Sequence, residues 1–242
     1  MPSQSIQYGD TRIAFEVQVS GSAMRRVRIH VLPDGAVRVD APAAASTAEI
    51  NAAVRQRARW IWLQLKAQQD RRHHVLPREY VSGESHFYLG RRHVLKVFEA
   101  AEFPAQVKLQ RGRLEVTVPQ RDSALVRKAL DAWYRRHARE VFQRRIAVCS
   151  DGLRWLRLPP DLRLLTMRTQ WGSCSPKGEV VLNPLLVKAP TPCIDYVITH
   201  ELCHLKELNH SPRFYGMLGM VMPDWPARKA RLDDMAELLL NR

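Results

Sequence analysis

The first part of the chain alternates. In TRIAFEVQV, residues 11–19, apolar and polar side chains change places at nearly every step, the period of a half-buried β-strand. RRVRIHVLPDGAVRVDAP, residues 25–42, alternates again on both sides of Pro33-Asp34-Gly35. Proline presets φ and glycine supplies a positive one, so this stretch predicts a hairpin.

The period then lengthens. Ser46 and Glu49 form a capping-box signature, and Ile50, Val54, Ile61 and Leu65 recur at helical spacing as far as Gln69. RRHHVLPRE, residues 71–79, is polar and broken by Pro77, which marks a connection. HFYLGRRHVLKVF turns at Gly90 and AQVKLQRGRLEVTVP at Gly112, predicting further strand pairs. A long helix starts near Ser123, with Leu125, Ala129, Leu130, Trp133, Ala138, Val141, Phe142 and Ile146 on one side. After LPPD, residues 158–161, LRLLTMRTQWGSCS predicts a strand, SPKG a turn and EVVLN the returning strand. A helix follows from about Cys193 to Leu208, and a shorter one covers SPRFYGMLGMVM. The last opens near Asp224 and Pro226, with Leu232, Met235, Ala236, Leu239 and Leu240 on one stripe. The class is therefore α+β. Its predicted boundary lies near residue 120, between a strand-rich region with one helix (1–120) and a helix–sheet–helix domain (121–242). No internal repeat is visible.

With 242 residues the chain can bury a real core as one large domain or two small ones. It has no run of about 18 apolar residues to span a membrane. Its start offers no apolar signal-peptide core, which points to the cytoplasm. Cys149, Cys174, Cys193 and Cys203 show no C-x-x-C spacing, so neither a disulfide framework nor a thiolate zinc site is indicated. The net charge of +14 favours anionic partners, nucleic acid or nucleotides among them. The cations are scattered and form no block with interleaved aromatics, so solvated surface accounts for them more simply.

The candidate chemistry lies in THELCHLKELNH, residues 199–210. His200 and His204, at i and i+4, leave one helix face one turn apart and can share one ion. Glu201 points about 100° further round, within reach of a water on that ion but outside its ligand set. Ile198, Leu202, Cys203 and Leu205 form the opposite, burying stripe. H-E-x-x-H alone is short enough to arise by chance; a further histidine six residues on, His210, makes chance far less probable. A straight helix would carry residue 210 about 9 Å past residue 204 along its axis. The chain must therefore turn after about Leu208, with Asn209 a tolerable left-handed residue. Glu207 is the rival third ligand. Three imidazoles leave one position of a zinc ion open to water, the arrangement of a catalytic site, and Glu201 can accept that water's proton. Imidazole ligands suit zinc; nickel, cobalt and iron also bind them.

MRTQWGSCSPKGEVVLNPLLVKAP, CIDYVITHELCHLKELNHSPRFYGML and PDWPARKARL together resemble the YgjP-like metallopeptidase-type domain family, itself similar to the SprT-like proteases and gluzincin-type zinc peptidases. The resemblance is close from Arg168 to Leu232 and weaker in GESHFYLGRRHVLKV and VRIHVLPDGAVRVDAP. It implies a zincin-like (gluzincin-type) core with His200, His204 and His210 as zinc ligands and Glu201 as general base. It does not fix the substrate.

Nearby residues are weaker candidates. The strand holding Trp171 would rim the cleft and pair with an extended peptide, although Trp171 reads more simply as core, with Gly172 and Ser173 allowing close backbone approach. Arg168, Lys177, Lys206 and Arg213 are candidate anion contacts. Tyr215 is a candidate oxyanion donor, or more simply a core residue. Met217, Met220 and Met222 read as packing under the site. Three functions compete: a cytoplasmic zinc metallopeptidase; a nucleoside triphosphate phosphohydrolase or pyrophosphatase using the same zinc site; and a basic nucleic-acid-binding protein with a structural zinc, against which Glu201 argues.

Overall fold

The computed structural model describes residues 3–9, 11–20, 26–31, 35–73, 78–167, 170–175 and 178–241. They form two compact units, Met1–Leu76 and Pro77–Arg242.

In the first unit, strands β1 (Ser3–Tyr8), β2 (Thr11–Ser20), β3 (Arg28–Val31) and β4 (Val37–Pro42) form a sheet ordered β1-β2-β4-β3. β1/β2 and β3/β4 are antiparallel pairs, and β2 runs parallel to β4. The predicted alternation holds: Ile13, Phe15, Val37, Val39 and Ala41 are buried beneath helices α1 (Thr47–Gln56) and α2 (Ala58–His73). Each of these side chains larger than alanine contributes about 1.5–3 kcal/mol by leaving water. Pro33 and Asp34 of the predicted hairpin turn lie outside the described residues. The capping box forms: the Glu49 amide donates to Ser46 Oγ at 3.3 Å, and the Ser46 amide to Glu49 Oε2 at 2.8 Å. The single helix expected to Gln69 is two, because the Arg57 amide takes the Val54 carbonyl three residues back and tightens the turn there.

In the second unit, β5 (Ser85–Tyr88), β6 (Arg91–Glu99), β7 (Gln106–Gln110) and β8 (Arg113–Val118) repeat that topology: sheet order β5-β6-β8-β7, two antiparallel pairs and a parallel centre. The first turns of the two sheets carry Gly9 and Gly90, both at positive φ. This repeat is one of topology, and few identical residues mark it in the sequence. Helix α3 (Ser123–Asp151) follows, capped by the Asp122 carboxylate. Then come β9 (Leu162–Leu164), β10 (Gly172–Cys174), β11 (Val180–Leu182), a 3-10 turn (Pro184–Lys188), α4 (Thr191–His204), α5 (Pro212–Val221) and α6 (Trp225–Leu240).

The boundary expected near residue 120 falls inside this unit's core. Leu95, Leu114, Val116 and Val118 of the sheet pack in one cluster with Val126 and Leu130 of α3 and Ile194 and Ile198 of α4. The β5–β6 turn is also bonded to the segment that starts α4: the Leu89 and Gly90 amides donate to the Val187 and Lys188 carbonyls at 2.9 and 3.0 Å. A Cβ on Gly90 would come within 2.8 Å of Pro190. The bidentate pair of Arg145 on α3 with Asp195 on α4, at 2.6 and 2.8 Å, then fixes α4 from the other side.

The stretch 162–175, expected as one strand, is two short strands. β11 is central in the order β10-β11-β9, parallel to β9 and antiparallel to β10. The fully buried Asn183 amide donates to the Met167 and Gln170 carbonyls at 2.8 and 3.3 Å, using groups that a continuous strand would offer to a neighbour. Among the described residues β10 is a terminal strand with one open edge. No helix among the described residues is long and apolar enough to cross a membrane.

Candidate metal centre

Helix α4 is buried along nearly its whole length, Ile198, Leu202 and Cys203 completely. Its last turn delivers His200 and His204 to the edge of a cleft of about 430 Å³, lined also by Trp171, Gly172, Cys174, Glu201 and His210. The helix ends at His204, earlier than the predicted Leu208. The Lys206 and Glu207 amides both bond the Cys203 carbonyl, at 3.1 and 3.0 Å, closing the helix in a tightened turn. Asn209 does not take the left-handed conformation expected of it; the described non-glycine residues with positive φ are Tyr80, Leu89 and Arg111. The reversal is instead completed by Ser211, whose hydroxyl accepts the Phe214 amide at 3.2 Å and caps α5.

This reversal brings His210 back. The Nε2 atoms of His200, His204 and His210 lie 3.2 Å (200–204), 3.1 Å (204–210) and 2.9 Å (200–210) apart. Neutral imidazole has one N–H and one bare nitrogen. His204 Nδ1 lies 3.0 Å from the Glu207 carbonyl, an acceptor only, so its proton belongs on Nδ1 and its Nε2 is bare. Three ring nitrogens so close must share protons or a cation. Nitrogens about 2.0–2.1 Å from a tetrahedral zinc are about 3.3 Å apart, close to the separations here. Among the described residues this is the one group of three or more His, Cys, Asp or Glu side chains whose ligand atoms converge tightly enough to hold an ion. The Glu207 side chain stands apart from it, 3.8 Å from Arg213.

Phe214 forms the floor. It is fully buried, and its ring centre is 4.8, 4.5 and 4.9 Å from those of His200, His204 and His210. Tyr196 packs edge-on against His200 at 5.9 Å. Burial, reinforced by the neighbouring charges of His204 and His210, pushes the His200 pKa down to about 3. Burial alone pushes Glu201 up to about 8. Gly172 leaves room for that carboxylate: a Cβ there would come within 2.9 Å of Glu201 Cγ and Oε1.

A model of the YgjP-like, metallopeptidase domain family matches residues 25–235. The chain belongs to that family. Among solved structures, the YgjP-like chain is similar to the crystal structure of the metallopeptidase zymogen of Pyrococcus abyssi abylysin, with 24% identity and a TM-score of 0.36 over 41% of this chain and 97% of that one. A comparison with curated proteins finds no match.

The remaining candidates divide. Trp171 lines the cleft and also packs against the core. Arg168 and Lys177 lie outside the described residues. Lys206 sits over the Trp155 ring at 5.1 Å, and Arg213 is largely exposed. Tyr215 is neither core nor cleft lining; it is 42% exposed, with its ring stacked on Trp225 and His210. Met217 and Met222 are buried as expected, but Met220 is 78% exposed. Sequence reading missed Phe214, Asn183, and the bonded pair Lys229–Asp233, which α6 presents to the cleft. The i,i+4 spacing of that pair was legible; its position was not.

Two expected results arise here. Gly172→Ala should displace Glu201 and lower turnover while leaving metal content unchanged, measured on the same sample; unchanged turnover would show that the carboxylate needs no such room. In the metal-free YgjP-like chain, Glu201 binds more protons folded than unfolded between 4.5 and 8, so stability falls as pH rises through that window. His200, with its pKa lowered from 6.5 to about 3, acts oppositely between those values. Melting temperature should therefore fall from pH 6.5 to 8, and Glu201→Gln should abolish the fall. A fall that persists in that variant would assign it to another group.

Proposed function

We propose that the chain is a zinc-dependent peptidase whose second unit is a zincin-like catalytic domain. The observation that carries this reading is the convergence of three imidazole nitrogens in a cleft that Glu201 also lines. His200, His204 and His210 hold the ion, and the Glu207 carbonyl orients His204. Zinc, when bound, supplies a Lewis acid that polarises a carbonyl and makes water acidic near neutral pH.

Glu201 is the general base. Its burial makes it a better proton acceptor than an exposed carboxylate, and the field of the cation acts the other way. It takes a proton from water and hands it to the leaving amine. The open edge of β10 pairs with the main chain of an extended substrate beside it. The nucleotide reading has less support. Lys229 is the one Lys or Arg among the described lining residues, and it bonds Asp233. A cytoplasmic location, expected from the sequence, is part of the same proposal.

The test is product analysis by mass spectrometry. Zinc-loaded wild type and Glu201→Gln each receive a disordered protein together with the common nucleoside triphosphates. Peptide fragments made by the wild type alone support the peptidase. Nucleoside mono- or diphosphates made by the wild type alone replace it with the phosphohydrolase.

A further inference from the structure

The first unit carries a groove that the metal site does not use. β3 is the terminal strand of its sheet, so every second residue turns its N–H and C=O away from β4. Among the described residues, these outward groups have no backbone partner. Beside that edge lies a groove of about 380 Å³, walled by Val27–His30 on one side and by Ala53, Gln56 and Arg57 at the end of α1 on the other.

Among the described residues its lining is apolar at Val27, Ile29 and Ala53, basic at Arg28, His30 and Arg57, and includes no acidic one. His30 lies 3.1 Å from Asp40, which also lies 3.3 Å from Arg38. Arg28 and Arg57 are exposed and form no ion pair among the described residues.

We propose that this groove docks an extended acidic segment of a protein by strand addition to β3. The edge supplies main-chain hydrogen bonds at the strand period, the apolar floor takes alternate side chains, and Arg28 and Arg57 meet carboxylates. The strand edge and apolar floor favour a peptide over nucleic acid, which would use the cations alone. Calling the docked segment part of a substrate rests on the peptidase reading; the docking itself does not.

The experiment uses the full chain as Glu201→Gln, so that nothing is cleaved. Fluorescence anisotropy follows a labelled ten-residue peptide of alternating Glu and Val, the same peptide N-methylated at every second residue, a Lys-Val counterpart and a ten-residue oligothymidylate. The Glu-Val peptide should bind, and the Lys-Val peptide should not. N-methylation along the pairing edge, and separately the added pair Arg28→Glu and Arg57→Glu, should each weaken binding about tenfold or more. An unchanged far-ultraviolet spectrum and metal content would show that the charge reversal leaves the fold intact. Absence of Glu-Val binding, equal binding of the methylated peptide, indifference to the charge reversal or tighter binding of oligothymidylate would each overturn the proposal. Intact docking together with no peptide fragments from the zinc-loaded wild type in the product analysis would overturn the peptidase reading alone.

Discussion

Glu201→Gln is expected to keep its metal and lose about 10²–10⁴ in turnover. The glutamine amide is nearly isosteric with the carboxylate, so the tight approach of Gly172, 2.9 Å from Glu201 Cγ as a built Cβ would stand, is preserved. None of the three converging nitrogens is touched. What disappears is the carboxylate proposed to receive a proton from water. Metal content by atomic absorption and rate on a cleaved peptide, measured on one preparation, check this. Loss of metal with loss of rate would make Glu201 a ligand or a structural support. Retention of rate would move the general base elsewhere, with Asp233 the remaining carboxylate among the described cleft residues.

The sequence made the site legible where chemistry follows helical period. His200 and His204 share a face because residues four apart always do on a helix, and the apolar stripe of Ile198, Leu202 and Cys203 orients that face. It misled where the chain leaves a regular element. The end of α4 is set by two amides competing for the Cys203 carbonyl and by the grip of the Glu207 carbonyl on His204, neither of which leaves a spacing to read. The stretch 162–175 carries no turn signal inside it, and the buried Asn183 that bonds the Met167 and Gln170 carbonyls is distant in sequence.

The domain boundary failed for a related reason. Alternation in β6 and β8 says that one face is buried but not against what, and the partners are α3 and α4. Phe214 illustrates the same limit from the side of function. It reads as one more apolar residue of a short helix, and only the reversal at Ser211 places it beneath all three imidazoles. Topology was hidden most deeply. The two four-stranded sheets share strand order and a parallel centre, while their sequences share little beyond alternation and the turn glycines, Gly9 with Gly90 and Gly35 with Gly112.

His210→Ala is expected to weaken zinc binding by about a hundredfold or more, since removing a partner that merely orients a ligand already costs about 10–100-fold. Glu207→Ala is expected to leave it nearly unchanged. The contrast is informative because both residues belong to the segment that follows α4. Glu207 contributes through its backbone carbonyl, which holds His204 Nδ1 at 3.0 Å and survives the change to alanine. Its carboxylate faces the exposed Arg213 across 3.8 Å, an ion pair of the kind that contributes little. His210 contributes through Nε2, 2.9 and 3.1 Å from its two counterparts, and nothing else among the described residues is placed to substitute for it. Competition with a chelating zinc indicator measures both variants on one scale. The reverse order of affinities would transfer the third ligand to Glu207. Equal losses would mean that the segment must hold its shape as a whole, with the Glu207 side chain essential to the reversal that returns His210 to the helix.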